Sequence, residues 1–387
     1  MQHSTTFVTL LASLFLAFSI SSDVYAAPTG RNIDLGTLLA RNLTTRASPA
    51  PIRLPLTPIL DSDGIEESFL ASIKIGGNPR AFNVLMDTGS QDLWVISERS
   101  TEINGRNAIG PTSSRTTFRQ AQGTFEIDFD DGTDVEGTIA TDNVNIGGQV
   151  LRNFKFGTAL QIGDSLDSHT DGMWGFSKSS GSAVGGPTPL ETLAAARIIP
   201  AAISSWKIGR VSQHTPSEVI LGGVNPALFD PRVTATVPNL PRTAADAGEG
   251  WWNVQVQGLA VGSSIVQLPG GSRIATLDSG SDNILFPRAD ILLIRSKIPG
   301  SQLFSDGGFA IPCNYNKNMQ IRIGNTAWNI LARDLMTVPV AGMSGLCHAS
   351  FEVGPDNEWT LGIPFLKNVY MTLDVANNRV TLAKPLQ

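Results

Sequence analysis

Leu85-Met86-Asp87-Thr88-Gly89-Ser90 returns, half a chain later, as Thr276-Leu277-Asp278-Ser279-Gly280-Ser281. Each copy runs through an apolar residue into Asp, then a hydroxyl residue, then Gly and Ser. A single Asp-Ser-Gly reads as an ordinary turn. Two copies at half-chain spacing indicate two similar lobes, each lending one carboxylate to a shared site. Two carboxylates brought together can activate water by general acid–base chemistry, which points to a hydrolase.

The repeat continues outward from the motifs. Met173-Trp174-Gly175 follows Asp87 and Thr360-Leu361-Gly362 follows Asp278, at nearly equal offsets. Short alternating or apolar runs recur at Ser68 to Ile75, Ala81 to Met86, Thr124 to Phe129, Val144 to Ile146 and Trp252 to Val256, bounded by turn signals such as Gly76-Gly77 and Gly147-Gly148. Helical periodicity is confined to Thr188 to Arg197 and Ala289 to Ser296. With 38 Gly and 23 Pro in 387 residues, this pattern predicts an all-β chain of two pseudo-symmetric β-rich lobes with a central active-site cleft. The expected N-terminal lobe is 54–225, carrying Asp87, and the C-terminal lobe 226–387, carrying Asp278. Residues 225–243 read as a connector and strand, and 177–186 and 241–250 as loops.

Composition removes several other chemistries. The four histidines (His3, His169, His214, His348) are scattered, and the two cysteines have no second pair or His cluster beside them, so no metal and no cofactor are expected. No Gly-Xaa-Ser-Xaa-Gly elbow exists. The formal net charge is −6, and it becomes more negative if the Arg-bearing N-terminal segment is removed, which disfavours nucleic acid and anionic membranes as partners. Cys313 and Cys347 are either two free thiols or, in an oxidising compartment, a pair closing about 34 residues, which would contribute about 3–4 kcal/mol in the chain-entropy model.

Five landmarks in order now carry a resemblance. They are Asp87-Thr88-Gly89-Ser90 with Leu93-Trp94-Val95 behind it, Asp171-Gly172-Met173-Trp174-Gly175-Phe176, Asp278-Ser279-Gly280-Ser281, Leu361-Gly362-Ile363-Pro364-Phe365-Leu366, and Asp374-Val375-Ala376-Asn377-Asn378-Arg379-Val380. Over roughly residues 65 to 385 the chain resembles a pepsin-like aspartic endopeptidase of the fungal secreted type. The resemblance implies that Asp87 and Asp278 are the catalytic pair, sharing one proton, and that polypeptides are cut at internal bonds in acid without a covalent intermediate. It implies a Cys313–Cys347 disulfide. It gives Thr88 and Ser279 cross-lobe bonds beneath the pair. Gly89 and Gly280 let backbone N–H groups approach the carboxylates, and Ser90 and Ser281 are expected to donate to the outer carboxylate oxygens.

The segment from Ile127 to Thr133 resembles the flap that closes over substrate, with Asp131-Gly132 as its turn. Phe129 stands where the family has tyrosine, so the hydroxyl that would bond toward Trp94 is lost. Asp282 replaces a Ser or Thr that contacts the substrate backbone. Phe129, Asp131, Gly132 and Asp282 are thus the expected substrate-binding residues, with Trp94 supporting the flap.

At the N-terminus, the apolar run 7–20 followed by Val24-Tyr25-Ala26 reads as a signal peptide, 1–26, and hence as a secreted, extracellular protein. Residues 27–53, with Arg31, Arg41, Arg46 and Arg53, resemble the family's removable pro-segment, which makes the chain a zymogen. The C-terminal residues 381–387 offer no hydrophobic anchor. The expected product is a monomer whose partners are polypeptide substrates. The competing reading is a weakly active or non-catalytic pepsin-like module that binds a protein. Phe129 and Asp282 keep it open, while both intact Asp motifs speak against it.

Overall fold

A computed structural model describes residues 49–129, 132–163, 166–241, 243, 250–356 and 358–386. The expected signal peptide and most of the expected pro-segment lie outside the described residues, as does Asp131. Residues 48–387 form one compact unit.

Strands dominate the regular structure of the unit, in sheets of thirteen, eight and four among the described residues. The predicted runs fall in strands, Glu66–Ile75, Phe82–Asp87, Arg119–Asp128, Asp134–Ile146 and Asn253–Val261, all but the second of them longer than the run. Only short helices interrupt them. Pro189–Ala195 starts at a capping box in which Thr188 accepts from the Glu191 N–H while the Glu191 side chain returns to the Thr188 backbone. Arg288–Arg295 buries Ile291 and Ile294 on one face. Both fall where helical periodicity placed them.

The sequence repeat is also a topological repeat. Phe82–Asp87 runs parallel to Gly172–Gly175, with Asp87 opposite Gly175, and that strand then pairs antiparallel with Leu93–Ile96. Arg273–Leu277 runs parallel to Trp359–Leu361, which pairs antiparallel with Ile284–Phe286. Each Asp therefore closes a strand held by the apolar-Gly strand found downstream of it. Such parallel pairs need long crossovers, which is why these motifs lie far apart in sequence.

The two halves are joined by a shared sheet. Ile203–Lys207 lies between Ser217–Leu221 and Tyr370–Asp374, and Arg379–Pro385 pairs in turn with Phe229–Pro238. The segment expected as a connector is thus a strand of this common sheet. The strand Ile52–Leu60, paired on both sides by Ser217–Leu221 and Glu66–Ile75, begins inside the segment expected to be removed, since Ile52 already pairs with Leu221. Its alternating burial, with Ile52, Leu54 and Leu56 inward, extends the core that far. Cys313 and Cys347 form a disulfide with Cα atoms 5.0 Å apart.

Candidate active site

Asp87 ends a strand whose alternate side chains Phe82, Val84 and Met86 are fully buried, so its carboxylate is carried on a rigid element. It is 5 % exposed. Asp278 follows the strand Arg273–Leu277, is half-buried, and its N–H donates to Leu361 O at 3.2 Å. In both copies the next glycine turns its N–H back onto the carboxylate: Gly89 to Asp87 Oδ1 at 2.7 Å and Gly280 to Asp278 Oδ1 at 2.8 Å. Such bonds favour a charged carboxylate.

The two loops also face one another. A methyl group built on Gly89 would stand 2.7 Å from Asp278 Cγ. One built on Gly280 would stand 2.6 Å from Asp87 Oδ1 and 3.2 Å from Asp278 Oδ1. Each glycine therefore leaves the space into which the other half's carboxylate projects, and both carboxylates border one point.

Beneath them, Thr88 and Ser279 interlock the halves. The Thr88 N–H donates to Ser279 Oγ at 3.0 Å and the Ser279 N–H to Thr88 Oγ1 at 2.9 Å. The hydroxyls pass their own protons on, Thr88 to Leu277 O at 2.9 Å and Ser279 to Met86 O at 2.7 Å. Both residues are fully buried, so every bond made here would be an orphaned group if broken. Ser279→Ala removes an acceptor and a donor at once, and we expect it to lower unfolding free energy by roughly 2–3 kcal/mol. Urea denaturation of the variant beside the parent protein measures this.

Two expected contacts are corrected. Ser90 Oγ donates to Met173 Sδ at 3.3 Å, and Ser281 Oγ donates to Asn283 O at 3.1 Å, so neither hydroxyl proton goes to a carboxylate. A hydroxyl has one proton, and here a neighbouring thioether and a turn carbonyl receive it.

Asp282 is exposed and its Oδ1 accepts from Asn283 Nδ2 at 3.3 Å. Protein walls that thin its hydration push its carboxyl above the ordinary range, and Asp61 adds to the rise. Glu67 is raised the same way, by desolvation and then by Asp61, Asp282 and Asp167. Glu352 is raised by desolvation and then by Asp282 and Asp306. Sequence reading singled out Asp282 alone. The others come from distant strands, and no local pattern marks them.

The expected flap is a hairpin of Arg119–Asp128 and Asp134–Ile146. Its turn closes through Phe129 N–H to Thr133 O at 2.8 Å and Gly132 N–H to Phe129 O at 2.9 Å, with Gly132 at φ +86° in the left-handed region. Phe129 packs against an apolar cluster that contains Trp94, Phe125 and Met173. Trp94 is fully buried, and its Nε1 has no acceptor among the described residues. That orphaned donor is what the missing tyrosine hydroxyl would leave behind. We expect Phe129→Tyr to raise kcat/KM about fivefold, the worth of one recovered hydrogen bond. An unchanged value in steady-state kinetics would remove this role for the ring.

Comparison with known proteins agrees with this geometry. The sequence model of a family described as eukaryotic aspartyl protease matches residues 68–385. An aspartic protease of Phaffia rhodozyma is 27 % identical over 84 % of this chain and 78 % of its own length. Rhizopuspepsin of Rhizopus chinensis is 26 % identical over 84 % of this chain and 80 % of its own. Renin of Canis lupus familiaris is 25 % identical, again over 84 % of this chain and 81 % of its own.

Proposed function

The chain belongs to the eukaryotic aspartyl protease family and is an aspartic-type endopeptidase, and from that premise we propose that Asp87 and Asp278 form its catalytic pair, in a protein secreted as a zymogen and active in acid. The observation that carries this reading is reciprocal approach: a methyl group on Gly280 would touch carboxylate oxygens from both halves of the chain.

Two carboxylates around one point cannot both hold a full charge easily, so they share a proton. The charged one takes a proton from a water held between them, and that water attacks the scissile carbonyl. The protonated one polarises the carbonyl oxygen and later helps to protonate the leaving nitrogen. The Gly89 and Gly280 N–H groups hold the carboxylates in place, and the Thr88–Ser279 bonds fix the distance between the two halves. An extended polypeptide lies under the hairpin tipped by Phe129 and Gly132, pairing with its backbone as an added strand. Asp282 meets the substrate on the other side. The apolar run at 7–20 supports secretion and the four arginines between 27 and 53 support a removable pro-segment.

Digestion of denatured globin in acid, with and without a statin-type transition-state analogue, tests this function. Cleavage that the analogue blocks is expected. A correctly processed protein that neither cleaves globin nor binds the analogue would instead be a protein-binding module on this fold.

A further inference from the structure

Away from the carboxylate pair, a second set of charges crosses between the halves, and it is buried. Lys367 Nζ donates to Glu66 Oε2 at 2.7 Å, and the Val211 N–H donates to Glu66 Oε1 at 2.7 Å. Glu66 and Lys367 are each 8 % exposed. Beside Val211, Arg210 makes a two-toothed pair with Asp334, Nε to Oδ1 at 2.8 Å and Nη2 to Oδ2 at 2.6 Å, and reaches Asn368 Oδ1 at 3.0 Å. Lys207, also buried, donates to Ile208 O at 3.0 Å.

Both ends of the Glu66–Lys367 bond lead to the proposed catalytic residues. Glu66 opens the strand Glu66–Ile75, in which Leu70 pairs with Leu85 of the strand that ends at Asp87. Lys367 caps the short helix Ile363–Leu366, its N–H donating to Ile363 O at 2.9 Å. That helix starts with the Ile363 N–H donating to Ser281 O at 2.9 Å, and Leu361 O, just before it, accepts the Asp278 N–H. The Asp278 turn is thus held from behind by the segment that Lys367 closes.

We propose that Glu66 and Lys367 are positioning residues for the reaction: their buried bond fixes the Asp87 strand against the Asp278 turn, and it is released when Glu66 takes a proton in acid. The inference rests on the catalytic reading above. Burial pushes the Glu66 carboxyl up, but the Lys367 hydrogen bond and charge, with the Val211 N–H, outweigh it and hold it below the usual carboxylate range. A carboxyl held low contributes its stabilisation above its unfolded value of about 4.3, and loses it as the pH falls through the lower folded value. The charged groups around Glu66 are Lys367 and, through the neighbouring Val211, Arg210 with Asp334. Lys207 stands beside those last two, its ammonium brought down to about 8 by burial and by Arg210, against the pull of Asp334. Once Glu66 is neutral, the buried Lys367 ammonium loses the charge it pairs with, so the pair releases. The acid limb of catalysis therefore reports Glu66 as well as the catalytic pair.

The test is kcat and KM for the secreted protein processed from the full chain, across the acid range, for wild type, Glu66→Gln, Lys367→Met and Lys367→Arg. Glu66→Gln keeps one oxygen to accept from Val211, and puts an amide NH2 where the oxygen accepting from Lys367 stood, so both the charge and that bond are lost. We expect its kcat to lie about tenfold below wild type near the top of that range, with KM within about twofold, because misplacement acts on the transition state. The gap closes as the pH falls and wild type loses the same bond. Lys367→Met follows the same pattern and carries the test should Glu66→Gln not fold, while Lys367→Arg keeps the wild-type profile. A gap that stays constant with pH, an effect confined to KM, or a Glu66→Gln profile identical to wild type overturns the proposal. Wild-type protein inert on every substrate would instead overturn the catalytic reading itself.

Discussion

Asp278→Asn is expected to lower kcat/KM by on the order of 10³- to 10⁴-fold while leaving the fold intact. Asparagine has the shape of aspartate and its Oδ1 can still accept the Gly280 N–H, now seen at 2.8 Å. Thr88 and Ser279 lie below the change and keep all four of their cross-half bonds. What disappears is the shared proton, because an amide can neither take it from water nor return it to the leaving nitrogen. Activity and melting temperature should therefore separate: peptide hydrolysis falls to near background while the thermal midpoint stays close to the parent value. A variant that loses both together would show Asp278 to be a folding residue first.

Gly280→Ala should also damage catalysis severely, by a different route. The new methyl group would stand 2.6 Å from Asp87 Oδ1, 2.9 Å from Asp87 Cγ and 3.2 Å from Asp278 Oδ1. These atoms are ends of side chains, which can swing aside at modest cost in stability. Swinging them aside pulls Asp87 from the Gly89 N–H that holds it at 2.7 Å and spreads the two carboxylates. Displacements of about 1 Å near reacting atoms cost on the order of 100-fold in rate. We expect a loss of that size in kcat/KM, weaker binding of the statin-type analogue, and little change in denaturant midpoint. Unimpaired hydrolysis by this variant would mean that the carboxylates do not need the spacing described here.

The parts of this site legible in the sequence are those a short motif fixes by itself. Asp-Thr-Gly and Asp-Ser-Gly determine the turn, the N–H returned to each carboxylate and the hydroxyls that cross between the halves. Met173-Trp174-Gly175 and Thr360-Leu361-Gly362 were legible only as a repeat, and the fold shows why they recur, since each lends a strand parallel to the one that leads into its Asp. Phe129 brings no hydroxyl to the cluster, and the Trp94 indole N–H is unpartnered among the described residues. Direction was not legible where two acceptors compete. Ser90 and Ser281 were expected to serve the carboxylates, yet their hydroxyls donate to Met173 Sδ and Asn283 O. Nor could sequence pair Glu66 with Lys367, which lie 301 residues apart with no repeat linking them. Long-range ion pairs leave no periodic trace, because a single contact decides them.

The central claim is that Asp87 and Asp278 act together on one water. The most direct test is kcat/KM on a single peptide for wild type, Asp87→Asn, Asp278→Asn and the double variant, each checked for an intact fold. Groups that act as a unit give non-additive losses. Each single variant should be nearly as inactive as the double variant. If one single variant keeps most of the wild-type rate, or if the two losses multiply in the double variant, the two carboxylates do not share the reaction and the account is wrong.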